Sequence, residues 1–503
     1  MVDNRFTRRD WLTGAASTLL AGGLHACGPT APPFTPPPAP DPPFVDEPAP
    51  DRPNIIVFLA DTLRADHLSC YGNPVKASPF LDGLARLGVQ FEHNTSGSTW
   101  TKPSLGTMLT GVPARVHQAV GSSPWKGIAD LSTYRVQALR SAFQTLPEAL
   151  KSVGYSTAYL QTNAHGRPEF GYGRGFDFVQ FLPHYPAFMQ VNDALDWITK
   201  EAHQPFFLFI HEINPHGPYE PDISSFLELH GVMSHSVLSS LDPNEAEIVD
   251  RFSRMLGTGP EIRTSVEGIS PEANRYIKMN YDAEIYEVDK QIERLVLRLD
   301  EFGILKHTVF AFTSDHGEGF GDHGFYAHVA NLAYDELIRV PLIMAGGGLP
   351  GNVRVPHTTT MIDFYPTLLE LAGAPIPPYV PGTPMFSRSG ELIVTNDRLT
   401  YTDLDKTSPD VSKWDTAIIK GRYKVASHKK GQAHWIFDRE TDPGEHENLV
   451  GTGRLPKKLE QDLIDSLRAE VDRYDQLSRQ FGEPVWMEAD DSVEEELNAL
   501  GYV

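Results

Sequence analysis

The sequence predicts an α/β fold, in which helices sandwich a mostly parallel β-sheet and a small α+β subdomain follows at the C-terminal end. Near-continuous apolar runs, such as residues 54–60, have the composition of strands buried on both faces. They alternate with amphipathic segments, and the longest of these, 281–302, places its apolar side chains on one helical face. Alternating strands and helices are typical of a parallel sheet covered on both sides.

The elements of the main domain follow from apolar spacing and from glycine stops. Helices 79–88 and 146–153 carry apolar residues at helical spacing and end at or before a glycine. The short apolar runs between helices are assigned to strands. The further predicted elements are strands 54–60, 156–160, 205–210, 308–313 and 340–344, and helices 281–302 and 362–371.

The C-terminal region, from about residue 385, has a different pattern. It contains short strand-like runs at 416–419, 423–426 and 434–437, followed by a polar helix at about 456–475. From residue 53 onward we therefore divide the chain into a main domain, 53–385, and a C-terminal α+β subdomain, 386–503.

The N-terminal segment has the features of an export leader. Residues 7–12, Thr-Arg-Arg-Asp-Trp-Leu, resemble a twin-arginine signal, and an apolar run too short to span a bilayer follows. It ends in Leu-His-Ala-Cys, which resembles a bacterial lipoprotein box with Cys27 as the lipid acceptor. The alternative is an ordinary cleaved signal with a chance cysteine.

A proline-rich tether, residues 27–52, follows the predicted signal peptide, residues 1–26. Such a composition favours extended polyproline geometry, which makes a semi-rigid spacer. We expect an exported protein, anchored by lipid to a bacterial membrane on the periplasmic side or at the cell surface.

The charge balance excludes one class of partner. The net charge is −23, from 66 acidic and 43 basic residues. Nucleic-acid binding depends on neutralising many phosphates, so this balance argues against a nucleic-acid partner. A small anion in a locally positive pocket is still compatible with it.

Polar residues follow the predicted strands at their carboxyl ends, where open α/β sheets bind ligands. Two aspartates and a histidine among them suit a divalent metal ion. Taken singly, each aspartate is also a common turn or helix-capping residue. The residues are Asp61, Asn163, His165, His211, His216, Asp315 and His316.

The stretch TWTKPSLGTMLTG, residues 99–111, reads as the start of a helix. Thr101 is a plausible N-cap, and a helix N-terminus favours a phosphoryl or sulfuryl group. A capped helix without any bound ligand explains Thr101 and Lys102 about as well as an anion-binding site does.

Together these segments resemble the sulfatase branch of the alkaline phosphatase superfamily over nearly all of residues 53–503. The matching motifs are 61–72, 78–85, 101–111, 215–219 and 314–318, with further landmarks at 339–343, 438–449 and 497–503. The resemblance implies that Asp61, Thr101, Asp315 and His316 hold one divalent metal ion. It also implies that Thr101 is the nucleophile and that His216 protonates the leaving group or binds substrate. Secondary candidates for holding the anion are Lys102, His165, His211 and His328, the last at a spacing like that in phosphoethanolamine-transferase relatives.

Three departures from the family pattern limit both the mechanism at residue 101 and the choice of metal ion. Thr101 replaces the cysteine or serine that becomes formylglycine, and a threonine cannot give that aldehyde. Leu105 replaces the signature arginine, and Thr62 replaces a second metal-binding aspartate. We therefore expect zinc or manganese in preference to calcium or magnesium, which stay open.

The leading hypothesis is a metallohydrolase of a small anionic phosphate or phosphonate ester, with sulfate esters still open. One alternative is a phosphoryl-group transferase of the phosphoethanolamine type. Another is a lipoprotein whose catalytic site has decayed into a binding pocket. The sequence leaves the oligomeric state open.

Overall fold

A computed structural model describes residues 39–44, 51–120, 122–123, 135–183, 185–231, 241, 245–246, 249, 269–328, 333–404, 415–428 and 433–488. The predicted signal peptide lies outside these residues, and so does most of the predicted tether. The fifteen strands of the described residues form three sheets. In chain order they are β1 (Asn54–Ala60), β2 (Val89–Thr95), β3 (Ser122–Ser123), β4 (Arg135–Ala138), β5 (Ser156–Gln161), β6 (Phe178–Phe181), β7 (Phe206–Glu212), β8 (Thr308–Thr313), β9 (Arg339–Ala345), β10 (Val353–Thr360), β11 (Thr400–Asp403), β12 (Thr416–Lys420), β13 (Tyr423–His428), β14 (Ala433–Asp438) and β15 (Val485–Glu488).

The main sheet has eight strands in the order β10-β2-β9-β8-β1-β7-β5-β6. Strand β1 lies near the middle and pairs in parallel with β7 and β8. Strand β9 is antiparallel to both of its neighbours, whereas the other pairs are parallel. The predicted, mostly parallel α/β sheet is confirmed.

Helices cover both faces of this sheet. Alternate residues of β1 enter two different cores: Ile56 and Phe58 pack with the helices of one face, and Ile55 and Val57 with those of the other. The described helices are α1 (Pro79–Leu87), α2 (Thr101–Thr110), α3 (Ala114–His117), α4 (Leu146–Ser152), α5 (Ala187–Lys200), α6 (Ile223–His230), α7 (Pro271–Glu301), α8 (Asp335–Ile338), α9 (Phe364–Ala372) and α10 (Lys457–Ser478).

Most predicted elements lie within two residues of the observed ones, with a few differences. Helix α7 begins ten residues earlier than predicted, where Oγ of Ser270 caps it by accepting from the amide of Ala273 at 3.1 Å. Strands β2, β6 and β10 of the main sheet were not predicted, and neither were β3, β4, β11 and β15. Strand β2 and its neighbour β10, at the edge of the sheet, are rich in polar residues, and the apolar pattern that reveals a buried strand is weak there.

A four-stranded antiparallel sheet, β11 to β14, and helix α10 make up the C-terminal subdomain. The buried Lys424 of β13 connects this sheet to the main domain. Its Nζ lies 2.5 Å from Oδ1 of Asp335 and 2.5 Å from Oε1 of Glu445, and it donates to the carbonyl of Ala333 at 2.8 Å.

Part of the predicted tether packs on the main domain. Pro42 is buried against Gly83 of α1, and the ring of Phe44 packs against Gly346, just after β9. Asp41 forms an ion pair with Arg86. Among the described residues, no helix combines the length and apolar character needed to cross a bilayer.

Candidate metal and nucleophile site

The carboxyl ends of the central strands deliver polar side chains to one point. Asp61 follows β1, Asp315 and His316 follow β8, and His211 lies near the end of β7. In the β1–β7 pairing, Leu59 is opposite His211, so His211 lies beside the end of β1. All four side chains are fully buried.

Asp61, His211 and Asp315 form a compact cluster. One potential ligand atom from each lies within 4.8 Å of the other two. Nε2 of His211 is 2.9 Å from Oδ2 of Asp61. Oδ1 of Asp61 and Oδ2 of Asp315 are buried and accept no hydrogen bond from the described residues.

His316 extends this cluster towards Thr101. Its Nδ1 donates to the carbonyl of Gly317 at 2.9 Å, so Nε2 is the nitrogen that faces the carboxylates. Nε2 lies 3.5 Å from Oδ2 of Asp315, 3.7 Å from Oδ1 of Asp61 and 3.3 Å from Oγ1 of Thr101. The four predicted metal-binding residues therefore lie together.

Thr101 is not the helix N-cap that the sequence suggested. Trp100 occupies that position, with extended backbone angles, and Thr101 is the first residue of α2. Its hydroxyl therefore makes no capping bond with the helix and contacts His316 and Asn163 instead.

Asn163 contacts both the cluster and the nucleophile candidate. Its Nδ2 donates to Oδ2 of Asp61 at 2.6 Å and lies 3.4 Å from Oγ1 of Thr101. Its Oδ1 accepts from the amide of His165 at 2.8 Å, which fixes the orientation of the side-chain amide. The sequence placed Asn163 at this edge of the sheet but did not identify it as a site residue. Its position two residues after β5 was the available signal.

The buried charges explain two shifted pKa values in the cluster. Burial, reinforced by the neighbouring carboxylate of Asp315, raises the pKa of Asp61. Burial lowers the pKa of His211 to about 4, so its imidazole is neutral at pH 7. A neutral imidazole beside two carboxylates is a suitable set of metal ligands.

The arrangement fits a divalent metal ion, because Oδ1 of Asp61 and Oδ2 of Asp315 are buried and accept no hydrogen bond from the described residues. Two buried carboxylates close together are costly without a compensating cation. Asp61, Asp315 and His316 would hold the ion together with Oγ1 of Thr101. His211 is close enough to Asp61 and Asp315 to join them.

The histidines predicted to bind substrate lie around this cluster. The ring centre of His328 is 4.7 Å from that of His316 and 5.1 Å from that of His216. The backbone amide of His165 donates to Oδ1 of Asn163, and the ring of His165 lies 5.3 Å from the ring of Trp100.

Lys102 has a different environment. Its side chain is buried, and Nζ lies 5.0 Å from the ring centre of Phe170. Among the described residues Nζ has no hydrogen-bond acceptor, and burial lowers the pKa of Lys102 well below its usual value. No described contact joins this amine to Asp61 or to the hydroxyl of Thr101, so its predicted role in holding the anion is still a prediction.

The two other departures from the family pattern are visible in the structure. Thr62 has a φ of 56°, unusual for a β-branched residue, and in this conformation its amide donates to Oδ1 of Asp315 at 3.2 Å. Leu105 is buried in the core between α2 and the sheet, so no side chain reaches the site from that position.

Comparison with known proteins places the chain in a family. Residues 53–374 match the family described as Sulfatase, and residues 321–473 match the one described as N-sulphoglucosamine sulphohydrolase, C-terminal. The relatives include an arylsulfatase of Clostridium perfringens, 22% identical over 81% of this chain and 92% of its own length. Another is an N-acetylglucosamine-6-O-sulfatase of Bacteroides thetaiotaomicron, 22% identical over 84% of this chain and 87% of its own length.

Solved structures show the same fold. The phosphonate monoester hydrolase of Agrobacterium radiobacter superposes with a TM-score of 0.64 at 20% identity, covering 87% of this chain and 100% of its own. A protein bound to its substrate D-glucosamine-2-N,6-O-disulfate superposes with a TM-score of 0.67 at 19% identity, covering 84% of this chain and 98% of its own. With its alkaline-phosphatase-like sheet and a family match over 53–374, the chain belongs to the Sulfatase family of hydrolases.

Proposed function

We propose that this protein is a metal-dependent hydrolase of phosphate or phosphonate esters that uses Thr101 as its nucleophile. The observation that carries the proposal is the position of Oγ1 of Thr101, 3.3 Å from Nε2 of His316, which itself lies 3.7 Å from Asp61 and 3.5 Å from Asp315. A formylglycine mechanism is excluded at this position, because oxidation of a secondary alcohol gives a ketone and not an aldehyde.

The surroundings of Thr101 suit a nucleophile. The hydroxyl is fully buried, and the amide of Asn163 is positioned to donate to it, which orients an oxygen lone pair. Held by Asp61, Asp315 and His316, a divalent metal ion would lower the pKa of a hydroxyl that is otherwise a weak nucleophile.

The proposed reaction proceeds in two steps. In the first step Oγ1 of Thr101, whose proton passes to water, forms a bond to phosphorus, while the P–O bond to the leaving group breaks. The departing oxygen takes up a proton, which the imidazolium form of His216 would supply from Nε2, since Nδ1 keeps its hydrogen in the bond to the carbonyl of Gly217 at 2.6 Å. In the second step water attacks phosphorus and gives a proton to Nε2 of His216, while the bond between phosphorus and Oγ1 breaks and Oγ1 takes up a proton from water.

The relatives and the structural neighbours point to two different classes of ester substrate. The relatives named above are sulfatases, whereas structural neighbours include phosphonate monoester hydrolases of Agrobacterium radiobacter and Silicibacter pomeroyi. The threonine at position 101 favours the phosphoryl class, because a simple hydroxyl nucleophile leaves a phosphothreonine that water can hydrolyse.

The full chain, loaded with zinc or manganese, should be assayed on matched aryl esters of sulfate, phosphate, phosphonate and a phosphodiester. We expect turnover of a phosphorus ester that Thr101→Val abolishes. Thr110→Val is the matched control, because Thr110 is a buried threonine of the same helix whose hydroxyl donates to Gly106. Faster turnover of the sulfate ester, or unchanged activity in Thr101→Val, would overturn the proposal.

The location predicted from residues 1–38 belongs to the same proposal. We propose an exported protein held at a membrane by lipid on Cys27, and labelling with a radioactive fatty acid in wild type and Cys27→Ser cells tests it.

A further inference from the structure

A hairpin brings Glu318 and His328 together directly after the metal segment. Gly319 and Ala327 exchange backbone hydrogen bonds of 3.1 and 3.3 Å, and Phe320 and Tyr326 form a β-bridge inside them. The residues that flank this closed pair, Glu318 and His328, are therefore neighbours in space although ten residues separate them in sequence.

The carboxylate of Glu318 is fully buried and holds two side chains. Oε1 lies 3.3 Å from Nδ1 of His328, and Oε2 accepts from the hydroxyl of Tyr219 at 2.9 Å. A carboxylate can only accept, so Nδ1 of His328 carries the hydrogen. Nε2 is then the ring nitrogen that points away from Glu318.

His328 differs in one respect from the two histidines beside it. His216 and His316 each donate from Nδ1 to the carbonyl of the next residue, at 2.6 and 2.9 Å. Local backbone therefore orients those two rings. The Nδ1 partner of His328 is a side chain from the other strand of the hairpin, so Glu318 contributes to the orientation of the ring.

We propose that Glu318 is a positioning residue, which fixes the ring of His328 so that Nε2 lies against the ester group held at Thr101. The distances between ring centres, 4.7 Å to His316 and 5.1 Å to His216, place His328 beside both the metal ligands and the proposed proton donor. His328 then touches substrate, whereas Glu318 acts through it. This inference rests on the proposed ester hydrolysis.

The kinetic test uses paired variants of the metal-loaded full chain. We expect Glu318→Leu to lower kcat about 10–100-fold with little change in KM, because a misplacement of about 1 Å can cost a factor of this size. Glu318→Gln keeps an oxygen acceptor and should recover most of the rate. The double variant Glu318→Leu/His328→Ala should be no slower than His328→Ala alone. Additive losses in the double variant, or equal losses in the Gln and Leu variants, would overturn the proposal.

Two further variants separate positioning from folding. Tyr219→Phe removes the hydrogen bond to Oε2 of Glu318 and should change kcat less than threefold. Glu336→Leu is the matched control, because Glu336 of α8 pairs in the same way, at 2.6 Å, with His323 of this hairpin. It should leave kcat unchanged, and a loss equal to that of Glu318→Leu would indicate a general effect on the hairpin and overturn the proposal.

A spectroscopic readout needs no turnover. In protein labelled with ¹⁵N-histidine, at one fixed pH, the Nδ1–H signal of His328 should be present in wild type and Glu318→Gln and lost in Glu318→Leu. An unchanged His328 signal in Glu318→Leu would overturn the positioning role. Failure of wild type to hydrolyse any ester would instead overturn the proposed function, while the spectra still report whether Glu318 orients His328.

Discussion

Asn163 donates a hydrogen bond of 2.6 Å to Asp61 and is 3.4 Å from the hydroxyl of Thr101, so one amide joins a carboxylate of the candidate metal site to the candidate nucleophile. Hydrogen bonds to charged groups are stronger than those between neutral groups. We therefore expect the hydrogen bond from Asn163 to Asp61 to contribute to the rate of ester hydrolysis, although the side chain of Asn163 is itself uncharged.

Replacing Asn163 by leucine should lower kcat/KM about 10–100-fold, because a hydrogen bond to a charged group contributes ~1.5–3 kcal/mol. Steady-state kinetics on the best ester substrate measures the loss. Asn280→Leu is a suitable control, since Asn280 is a buried asparagine whose amide donates to Tyr276 inside α7. Full activity in Asn163→Leu would contradict the prediction.

Metal binding should stabilise the folded protein through the buried carboxylates. At a free zinc or manganese concentration of 100 times Kd, the free energy of unfolding should rise by about 2.7 kcal/mol, and a chelator should reverse the rise. Thermal unfolding with and without metal measures it. The effect should vanish in Asp61→Asn and persist in Asp289→Asn, in which the replaced carboxylate accepts from the amides of Phe80 and Leu81 away from the site.

Lys424 should be essential for joining the C-terminal sheet to the main domain. Lys424→Met leaves the buried carboxylate of Glu445 without its cation, whereas the partly exposed Asp335 keeps Arg439 at 3.4 Å, so we expect a loss of about 3–5 kcal/mol in the free energy of unfolding. Chemical denaturation measures it. Lys420→Met, on the neighbouring strand with an exposed amine, should change stability by less than about 0.5 kcal/mol.

Glu287 should make stability depend on pH. Burial raises its pKa to about 7 from an ordinary value of 4.5, so the folded state binds a proton more tightly than the unfolded state. Its contribution is fully present below pH 4.5 and is lost as the pH rises through 7. Glu287→Gln should therefore gain about 1–3 kcal/mol relative to wild type between pH 5 and pH 8. Denaturation at both pH values measures the gain, with Glu301→Gln at the exposed end of the same helix as control, and equal slopes in wild type and Glu287→Gln would refute it.

The central strands could be predicted because burial on both faces leaves a continuous apolar run, as in β1 and β8. The ends of such strands then locate Asp61, Asp315 and His316 without further information. Strands β2 and β10 could not be recognised in this way. Their polar residues, such as Glu92 and His93 of β2, are tolerated because these strands pair near the edge of the sheet.

The details of the site depend on register and on side-chain direction. His211 lies close to Asp61 because β7 pairs with β1 in one particular register, which the sequence does not encode locally. The hydroxyl of Thr101 is available to His316 because Trp100 is the N-cap. The direction of Lys102 towards Phe170 is likewise set by packing that sequence spacing cannot specify.

The docked segment 39–44 contacts the main domain away from the candidate metal site. Phe44 packs beside Gly346 and the carbonyl of Thr308, at the start of β8, whereas Asp315 follows the end of that strand. The described chain therefore approaches the main domain at the end of the sheet opposite the site. Residues 39–44 therefore do not cover the ends of the strands that carry Asp61 and Asp315.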